Sequence, residues 1–505
     1  MSDPAPRQLS TEPAWEAHDL GLPLPPTQHA VSVALPLWQD VIDYEEEHPR
    51  IAAALKAGYP RFFVHPLVVQ LFAEAARRWA APGEGSLVLP SRLSAQRGAD
   101  YIREKSGSPA RVVPCGIGQL HALLFPESAR PAARAYWRYC GAVVSSRLAA
   151  RALASDFGDA VELERVGAAA KQTLRARLAA LSGVDPGDVF LFPSGMNAMA
   201  LAHRLVTDLR PGLPTAQLDF PYVDVLRVQQ EFGSGAVFFP LADAAALEKT
   251  AALAAAGSLA AVFAEVPSNP LLSCVPLDAL ADQLRAAAVP LVLDDTVATA
   301  VNIDALAVAD LVTTSLTKAC SGAGDVIAGA LTVNPRSPWH ARFRAQLEAE
   351  QAQHDLLWAE DAVVLERNSR DFPERVRRMN ANAEALTEFL RGHPAVQQVW
   401  YPASPAAFGR MARPGGGRGC LFSFLLRDEA AAAACYDQLR LSKGPSLGTN
   451  FSLCCPYTLL AHYQELDWAA SCGVPRHLLR VSAGLEPTEE LIRRFQSALP
   501  AAPAP

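Results

Sequence analysis

Between about residues 165 and 335, helical segments alternate with short runs of apolar residues. Residues 165–183 read RVGAAAKQTLRARLAALSG, which is typical of an amphipathic helix that ends at Gly183 as its C-terminal cap. The apolar runs have the length of buried strands; they are VFLF (189–192), AAVFAEVP (260–267), VPLVLDD (289–295) and ALAVADLVTTS (305–315). Strands that alternate with helices predict an α/β fold with a mostly parallel central sheet flanked by helices.

The pattern changes on both sides of this segment. Residues 336–392 are charged and helical, and the later strings VQQVWYP, CLFSFLL and LLRVSAGLE predict the strands of a smaller α+β domain. Both ends of the chain are rich in Pro, polar or small residues, which favours mobility. The predicted organisation is a flexible tail (1–30), a mixed, helical N-terminal region (31–150), a large α/β domain (151–335), connecting helices (336–392), a small domain (393–497) and a flexible tail (498–505).

The composition predicts a soluble, globular and mildly acidic protein. The chain has 505 residues, of which 50% are hydrophobic and 19% charged, with a formal net charge of -7. The apolar fraction excludes global disorder. The small negative charge gives no electrostatic basis for binding nucleic acid or an anionic membrane, and we expect neither partner.

Cysteine usage and the N-terminal residues bear on the compartment. The nine cysteines form no C-x-x-C pair, and adjacent Cys454 and Cys455 lack metal-ligand spacing, so we expect buried thiols and no metal site. The start of the chain lacks the basic and apolar segments of a signal peptide. The uncharged stretch between Lys249 and Glu265 is shorter than the ~20 apolar residues of a membrane span. We therefore predict a cytoplasmic protein.

Ligands of open α/β sheets bind at the carboxyl ends of the strands, and the first candidate motif lies there. Residues 192–197 read FPSGMN at a junction between a strand and a helix. Free backbone N–H groups at Gly195 and Met196, together with the helix dipole, indicate an anion site. Taken alone, the motif favours a helix that Ser194 caps at its N-terminus.

Two further motifs follow apolar strands. Asp294 and Asp295 end the strand LVL; they fit a pair of capping acids, a magnesium ligand, or an acid that pairs with a protonated ring nitrogen. The magnesium interpretation needs a G-x-x-x-x-G-K-[ST] loop, which the chain lacks. Lys318, in TSLTK, is a solvated loop lysine or, if burial or nearby positive charge lowers its pKa, a lysine that forms an imine.

Together the three motifs supply what pyridoxal 5'-phosphate requires: an anion site, an acid for the pyridine nitrogen and a Schiff-base lysine. Residues 189–330 resemble the cofactor domain of the Cys/Met-metabolism family of PLP-dependent enzymes through FPSGMNA, EVPSNPLL, LVLDDTVAT and SLTKACSGAGDVIAG. The chain is also similar to the long, fungal-type cystathionine gamma-synthases in HAVSVALPLWQDVIDYEEEHPR, GYPRFF, SSRLA, DFPYVDVLRV, LERNSRDFPERV, KGPSLGTNFSLCCPY and LLRVSAGLE. The resemblance implies the type I fold of PLP-dependent transferases, like that of aspartate aminotransferase.

The resemblance assigns the central chemistry to three residues. Lys318 matches the family's Schiff-base lysine, which holds the cofactor and, once substrate frees it, shuttles protons. Asp294 matches the acid that pairs with the pyridine nitrogen, although Asp295 stands where many relatives have Asn. Tyr222 matches the tyrosine that stacks on the ring and exchanges a proton with substrate; the alternative placement, Phe220, stacks but has no acid or base.

Other implied contacts hold the rest of the cofactor. The backbone N–H groups of Gly195 and Met196 and the hydroxyls of Ser315 and Thr317 match the phosphate contacts. Asn269 matches the residue that lies beside the phenolic oxygen of the cofactor and contacts the substrate.

The resemblance also places the substrate carboxylate and a subunit contact. Arg480 matches the arginine that binds the α-carboxylate through a bidentate fork, and Ser446 lies in a turn that helps to hold the same group. Many family members place a Tyr-x-Arg pair from a neighbouring subunit on the phosphate, where this chain reads Ser145-Ser146-Arg147. An Arg147 that reaches a neighbour's phosphate makes each active site shared, which implies a homodimer or homotetramer.

The reaction that the resemblance implies is γ-replacement on small amino-acid substrates, in transsulfuration and methionine biosynthesis. An O-acyl-L-homoserine (succinyl or acetyl) loses its acyl group from Cγ, and the thiolate of L-cysteine takes its place to give L-cystathionine. A cystathionine γ-lyase or an O-acylhomoserine sulfhydrylase needs nearly the same residues, so these alternatives stay open. A non-catalytic binding or regulatory protein is a more distant alternative, because Lys318, Asp294 and Arg480 are all present.

Overall fold

The computed structural model describes residues 7–59, 63–353 and 357–500. The N-terminal region combines helices with a small antiparallel sheet, in the strand order β1-β3-β2, that the sequence did not predict. Its elements are α1 (Trp38–Glu45), α2 (Pro49–Ala54), α3 (Pro66–Trp79), β1 (Glu84–Leu89), α4 (Arg92–Ser106), β2 (Arg111–Pro114), β3 (His121–Pro126), α5 (Arg130–Cys140) and α6 (Ser146–Ala154). Helix α3 begins with Pro66 in its first turn and with the side chain of His65 as its cap.

The middle of the chain forms the predicted α/β domain. Its seven strands lie in the order β4-β10-β9-β8-β7-β5-β6, and all of them run in one direction except β10, which is antiparallel to both neighbours. The elements are α7 (Ala160–Ser182), β4 (Val189–Phe192), α8 (Gly195–Thr207), β5 (Thr215–Leu218), α9 (Val223–Phe232), β6 (Ala236–Phe239), α10 (Ala244–Ala255), β7 (Val262–Glu265), α11 (Leu277–Ala286), β8 (Leu291–Asp294), α12 (Thr299–Asn302), β9 (Leu311–Ser315), β10 (Gly329–Val333) and α13 (His340–Gln353).

Strands β7 and β8 are apolar up to their last residue because helices cover both faces of the sheet. In β8, Leu291 and Leu293 pack into one core cluster and Val292 packs into another. The structure thus confirms the predicted mostly parallel sheet. It also confirms the predicted end of α7, where Gly183 adopts a left-handed conformation with φ 68°.

The C-terminal part contains the predicted smaller α+β unit. Its five-stranded sheet has the order β11-β12-β15-β14-β13, antiparallel except between β13 and β14. The elements are α14 (Ala359–Asn368), α15 (Phe372–Arg391), β11 (Val396–Trp400), β12 (Leu421–Leu426), α16 (Glu429–Gln438), β13 (Ser442–Lys443), β14 (Leu453–Pro456), α17 (Tyr457–His462), α18 (Leu466–Ser471), β15 (Leu479–Ser482) and α19 (Thr488–Ala498). The thiols of Cys454 and Cys455 are buried, as predicted.

The prediction of a flexible tail over residues 1–30 is wrong for residues 7–30. The backbone N–H of Lys443 donates to the carbonyl of Ala14 at 3.1 Å, and the N–H of Val31 donates to the carbonyl of Gly324 at 2.9 Å. These bonds join the N-terminal segment both to the C-terminal sheet and to the loop that follows Lys318. Residues 1–6 and 501–505 lie outside the described residues.

Within the part of the chain that the structure describes, no helix combines the length and the apolar character needed to cross a bilayer.

The packing of the N-terminal segment can be tested at Leu24, which is 0% exposed and shares a core cluster with Phe451 and Leu453. We expect Leu24→Ala to lower the free energy of unfolding by about 2–5 kcal/mol, because it opens a cavity at this contact. Leu241→Ala is the matched control, since Leu241 is 57% exposed and its loss should change stability by less than about 0.5 kcal/mol. Thermal unfolding of both variants measures the difference, and equal midpoints would contradict the packing.

Candidate active site

A pocket opens at the carboxyl ends of β7, β8 and β9, next to the N-terminus of α8. Nine residues that the sequence singled out line this pocket: Gly195, Met196, Tyr222, Asn269, Asp294, Ser315, Thr317, Lys318 and Arg480. They come from the ends of separate strands and from the C-terminal unit, so the fold brings together residues that are up to several hundred positions apart in sequence.

Lys318 follows the end of β9 and points into the pocket. Its amine Nζ donates a hydrogen bond to the hydroxyl of Tyr59 at 2.8 Å and another to the hydroxyl of Ser446 at 3.2 Å. The amine also lies 4.7 Å from the centroid of the Tyr59 ring. Sequence reasoning assigned no role to Tyr59, although it belongs to the GYPRFF string that carried part of the resemblance.

The first turn of α8 forms one wall of the pocket. The side chain of Ser194 accepts a hydrogen bond from the N–H of Asn197 at 3.0 Å, so the capping interpretation holds. A Cβ atom on Gly195 would lie 2.8 Å from the Cβ of Ser315, which means that only glycine lets the helix approach the end of β9 so closely. The helix N-terminus and the nearby hydroxyl-bearing residues Ser315 and Thr317 therefore form a concave site suited to an anion such as phosphate.

The two adjacent acids at the end of β8 face different cavities. Asp294 lines the pocket, where its carboxylate accepts hydrogen bonds from the hydroxyl of Thr313 and the N–H of Thr296, both at 2.9 Å. Asp295 lines a separate cavity and accepts from the hydroxyl of Thr314. Burial raises the pKa of both acids, in Asp295 to about 7. Of the two acids, Asp294 is the one able to meet a ligand in the pocket.

A second acid in the pocket, Glu265, was not recognised from the sequence. It ends β7 directly opposite Asp294 in the parallel ladder, and its carboxylate accepts the backbone N–H of Tyr222 at 2.7 Å. Burial, with the charge of Asp294 beside it, raises the pKa of Glu265 well above its usual range. The bond to Tyr222 fixes the turn that carries the pocket tyrosine. The available sequence signal for Glu265 was its position immediately after the buried apolar run of β7.

Of the two aromatic residues considered for stacking, Tyr222 lines the pocket and Phe220 does not. Phe220 packs instead against the rings of His462 and Trp468, with centroid distances of 5.0 Å and 5.2 Å. The alternative placement of the stacking residue at Phe220 is therefore wrong for this pocket.

Arg480 lies on β15 with only 3% of its surface exposed. Its Nη1 donates to the side-chain oxygen of Asn269 at 3.1 Å, and its Nη2 donates to the carbonyl of Pro445 at 2.6 Å. No carboxylate of the described residues lies within ion-pair distance of it, although most other buried arginines here have one. A buried guanidinium without a counter-charge is costly unless an anionic ligand neutralises it.

Arg147 does not line the pocket of its own chain, and its contact with the phosphate of a neighbouring subunit stays a prediction. Its guanidinium is buried and forms ion pairs with Asp361 at 3.1 Å and Asp325 at 3.5 Å within the same chain. The side chain of Ser145 caps α6 by accepting the N–H of Leu148. Within one chain, these two carboxylates neutralise the charge of Arg147.

The pocket residues fit pyridoxal phosphate. An amine that can bind an aldehyde lies beside an anion site at the α8 N-terminus, and a buried carboxyl on the adjacent strand can meet a ring nitrogen. The fit depends on Lys318, Asp294 and the Gly195 turn, all of which line one cavity.

Comparisons with known proteins agree with this geometry. Residues 147–500 match the family described as Cys/Met metabolism PLP-dependent enzyme, and residues 67–145 match the fungal trans-sulfuration enzyme N-terminal domain. A cystathionine gamma-synthase of Neurospora crassa is 32% identical over 95% of this chain and 98% of its own length. An L-2-amino-4-chloropent-4-enoate dechlorinase/desaturase of Streptantibioticus cattleyicolor is 34% identical over 94% and 97%.

Solved structures show the same fold. The crystal structure of cystathionine gamma synthase from Xanthomonas oryzae pv. oryzae, in complex with aminoacrylate and cysteine, superposes with a TM-score of 0.58 at 26% identity. The match covers 66% of this chain and 86% of that chain.

The separate environment of Asp295 predicts a pH-dependent stability. Its carboxyl has a pKa of about 7 in the folded chain against an ordinary value of 3.8, so the folded state binds the proton more tightly. Folding is therefore favoured at low pH, and this contribution is lost as the pH rises toward 7. We expect Asp295→Asn to become more stable relative to the parent as the pH rises through this range and to change no further above it. Thermal unfolding at a series of pH values measures the difference; a constant difference would show that Asp295 is ionised throughout.

Proposed function

Because the chain belongs to the Cys/Met metabolism PLP-dependent enzyme family and is a cystathionine gamma-synthase-like enzyme that uses pyridoxal phosphate, we propose that it joins an O-acyl-L-homoserine to L-cysteine. The products are L-cystathionine and the free carboxylic acid. The observation that carries the proposal is the presence, in one pocket, of the reactive amine of Lys318 and the unpaired guanidinium of Arg480. An α-amino acid substrate needs both residues, because Lys318 lies where its amino group reacts and Arg480 binds its carboxylate.

The proposed cofactor contacts follow the pocket walls. Lys318 would hold the cofactor covalently, and the first turn of α8 with Ser315 and Thr317 would hold its phosphate. Asp294 would hold the proton on the ring nitrogen, an arrangement that its two hydrogen-bond donors favour by stabilising the carboxylate. When bound, pyridoxal phosphate supplies a conjugated system that accepts electrons from the substrate carbon next to the amine.

The remaining pocket residues would orient the substrate and move its protons. Arg480 forms hydrogen bonds to Asn269 and to the carbonyl of Ser446. Its remaining N–H donors bind the α-carboxylate of the substrate. The amine of Lys318, once released, removes the proton from Cα and carries protons to and from Cβ. Tyr222 would cover the cofactor ring and would exchange a proton with the substrate. Tyr59, in contact with the lysine amine, helps to hold that amine toward the pocket.

A second candidate function is elimination at the γ-carbon without replacement. Its support is the dechlorinase/desaturase of Streptantibioticus cattleyicolor, to which this chain is similar over nearly the whole length of both proteins. Elimination and replacement share the proton transfers at Cα and Cβ and differ in whether a thiolate then adds. The lyase alternative eliminates L-cysteine from cystathionine, and the sulfhydrylase alternative uses sulfide in place of the thiolate of L-cysteine.

The homo-oligomer with shared active sites stays a prediction, and so does the cytoplasmic location. Within one chain Arg147 pairs with Asp325 and Asp361, and its contact with a neighbouring subunit's phosphate is part of the same prediction.

Product analysis tests the proposal. The holoenzyme should form cystathionine from L-cysteine and either O-acetyl- or O-succinyl-L-homoserine, detected by mass spectrometry. Cystathionine alone and O-acylhomoserine with sulfide are the comparison reactions, with 2-oxobutyrate and homocysteine as their products. Release of 2-oxobutyrate from cystathionine as the only turnover would make the enzyme a lyase, and turnover of 2-amino-4-chloropent-4-enoate alone would favour the elimination candidate.

The two neighbouring acids provide a matched pair of variants. We expect Asp294→Asn to lower kcat by about 10²–10³-fold, because the buried negative charge that stabilises the ring proton is lost. Asp295→Asn should keep kcat within about threefold of the parent, because Asp295 faces the other cavity. Steady-state kinetics and the visible spectrum of the bound cofactor measure both variants. A larger effect at Asp295 than at Asp294 would contradict the assignment.

A further inference from the structure

The guanidinium of Arg480 lies over an aromatic ring that has no role in the mechanism above. The Cζ atom of Arg480 is 4.6 Å from the centroid of the Tyr457 ring. Both residues are buried, with 3% of each exposed. A cation over a ring at this distance, away from water, is in the range where the electrostatic attraction to the ring is strongest.

The backbone fixes the relative position of the ring and the guanidinium. In the antiparallel pairing of β14 with β15, Cys455 lies opposite Arg480. Tyr457 begins α17 directly after β14, and its N–H donates to the carbonyl of Leu478 at 3.2 Å. The ring therefore stands directly after the end of the strand that is paired with the strand of Arg480.

The hydrogen bonds of Arg480 do not by themselves fix the orientation of its guanidinium plane. The bonds to Asn269 and to the carbonyl of Pro445 engage N–H groups, which lie in the plane of the guanidinium. Such bonds leave the two faces of the plane open. The Tyr457 ring restricts rotation out of that plane, and this restriction determines whether the remaining N–H donors form a fork toward the pocket.

The hydroxyl of Tyr457 does not explain the residue. It has no hydrogen-bond partner among the described residues. Burial also raises the pKa of Tyr457, so the phenol stays neutral and takes no part in proton transfer. A buried hydroxyl without a partner adds no net stability, which leaves the ring face as the useful part of the side chain.

We propose that Tyr457 is a positioning residue for carboxylate recognition: its ring holds the guanidinium of Arg480 flat, with the fork directed at the α-carboxylate of the amino-acid ligand. This inference rests on the proposed function, in which Arg480 binds that carboxylate. A guanidinium that can tilt loses the bidentate geometry that distinguishes a planar carboxylate from a neutral amide.

The test measures carboxylate preference by binding rather than by turnover. L-Norvaline and L-norvalinamide have the same side chain and differ in the carboxylate, and neither has a leaving group at Cγ. Titration of each into the holoenzyme, followed by the visible spectrum of the bound cofactor, gives two dissociation constants. Their ratio is the carboxylate preference, and the difference in amine basicity between the two probes cancels when variants are compared at one pH.

We expect Tyr457→Phe, which keeps the ring, to retain the ratio within about twofold, and Tyr457→Leu to lower it by about tenfold. Tyr457→Met fills more of the same space and gives the same expectation if the leucine variant does not fold. The matched control is Tyr401→Leu. Tyr401 has Arg418 over its ring at the same 4.6 Å, but Arg418 pairs with Glu384 outside the pocket, so this variant should lower stability without changing the ratio.

The outcomes separate the inference from the function on which it rests. If the parent shows no carboxylate preference, or Arg480→Gln keeps it, the role of Arg480 itself is wrong. If Arg480→Gln loses the preference while Tyr457→Leu and Tyr457→Met keep it, only the role of Tyr457 is overturned. An equal loss in Tyr457→Phe, or in Tyr401→Leu, also overturns it, because the ring of Tyr457 would then not be the specific cause.

Discussion

Strands β7, β8 and β9 run parallel and end at one edge of the sheet, and this register places the ionisable groups of the pocket. Glu265 lies opposite Asp294 in the ladder, and Lys318 follows the end of the next strand. Strands β7 and β8 are apolar up to their last residue and β9 carries no charge, so the first charged residues appear where the strands end. A slip of one residue in β8 would direct Asp295 rather than Asp294 into the pocket, because successive side chains point to opposite faces.

The pocket contains charge that the described part of the protein does not neutralise. Arg480 is buried with hydrogen bonds to neutral oxygens and without a carboxylate, whereas the equally buried Arg147 has two. An isolated buried cation such as Arg480 lowers stability until an anion binds. Distant parts of the chain complete the pocket. The ring of Tyr457 contacts the guanidinium of Arg480, and the N-terminal region brings Tyr59 to the amine of Lys318.

The sequence predicted features that depend on local order and missed those that depend on distant partners. Buried strands, the Gly183 cap and the Lys318 and Asp294 motifs follow from apolar runs and from what ends them. Residues 7–30 read as a tail because they are polar and Pro-rich, while their partners lie near residue 443. The acids that pair with Arg147 lie about 180 and 210 positions away, a separation that no local pattern encodes.

The central claim is that the amine of Lys318 carries the cofactor. Reduction of the holoenzyme with borohydride, followed by proteolysis and mass spectrometry of the peptides, locates the stable pyridoxyl group on the residue that held it. We expect the label on the peptide that contains Lys318, and a Lys318→Ala variant should take up none at that peptide. A label on another lysine of the folded parent, or no label at all, would contradict the account.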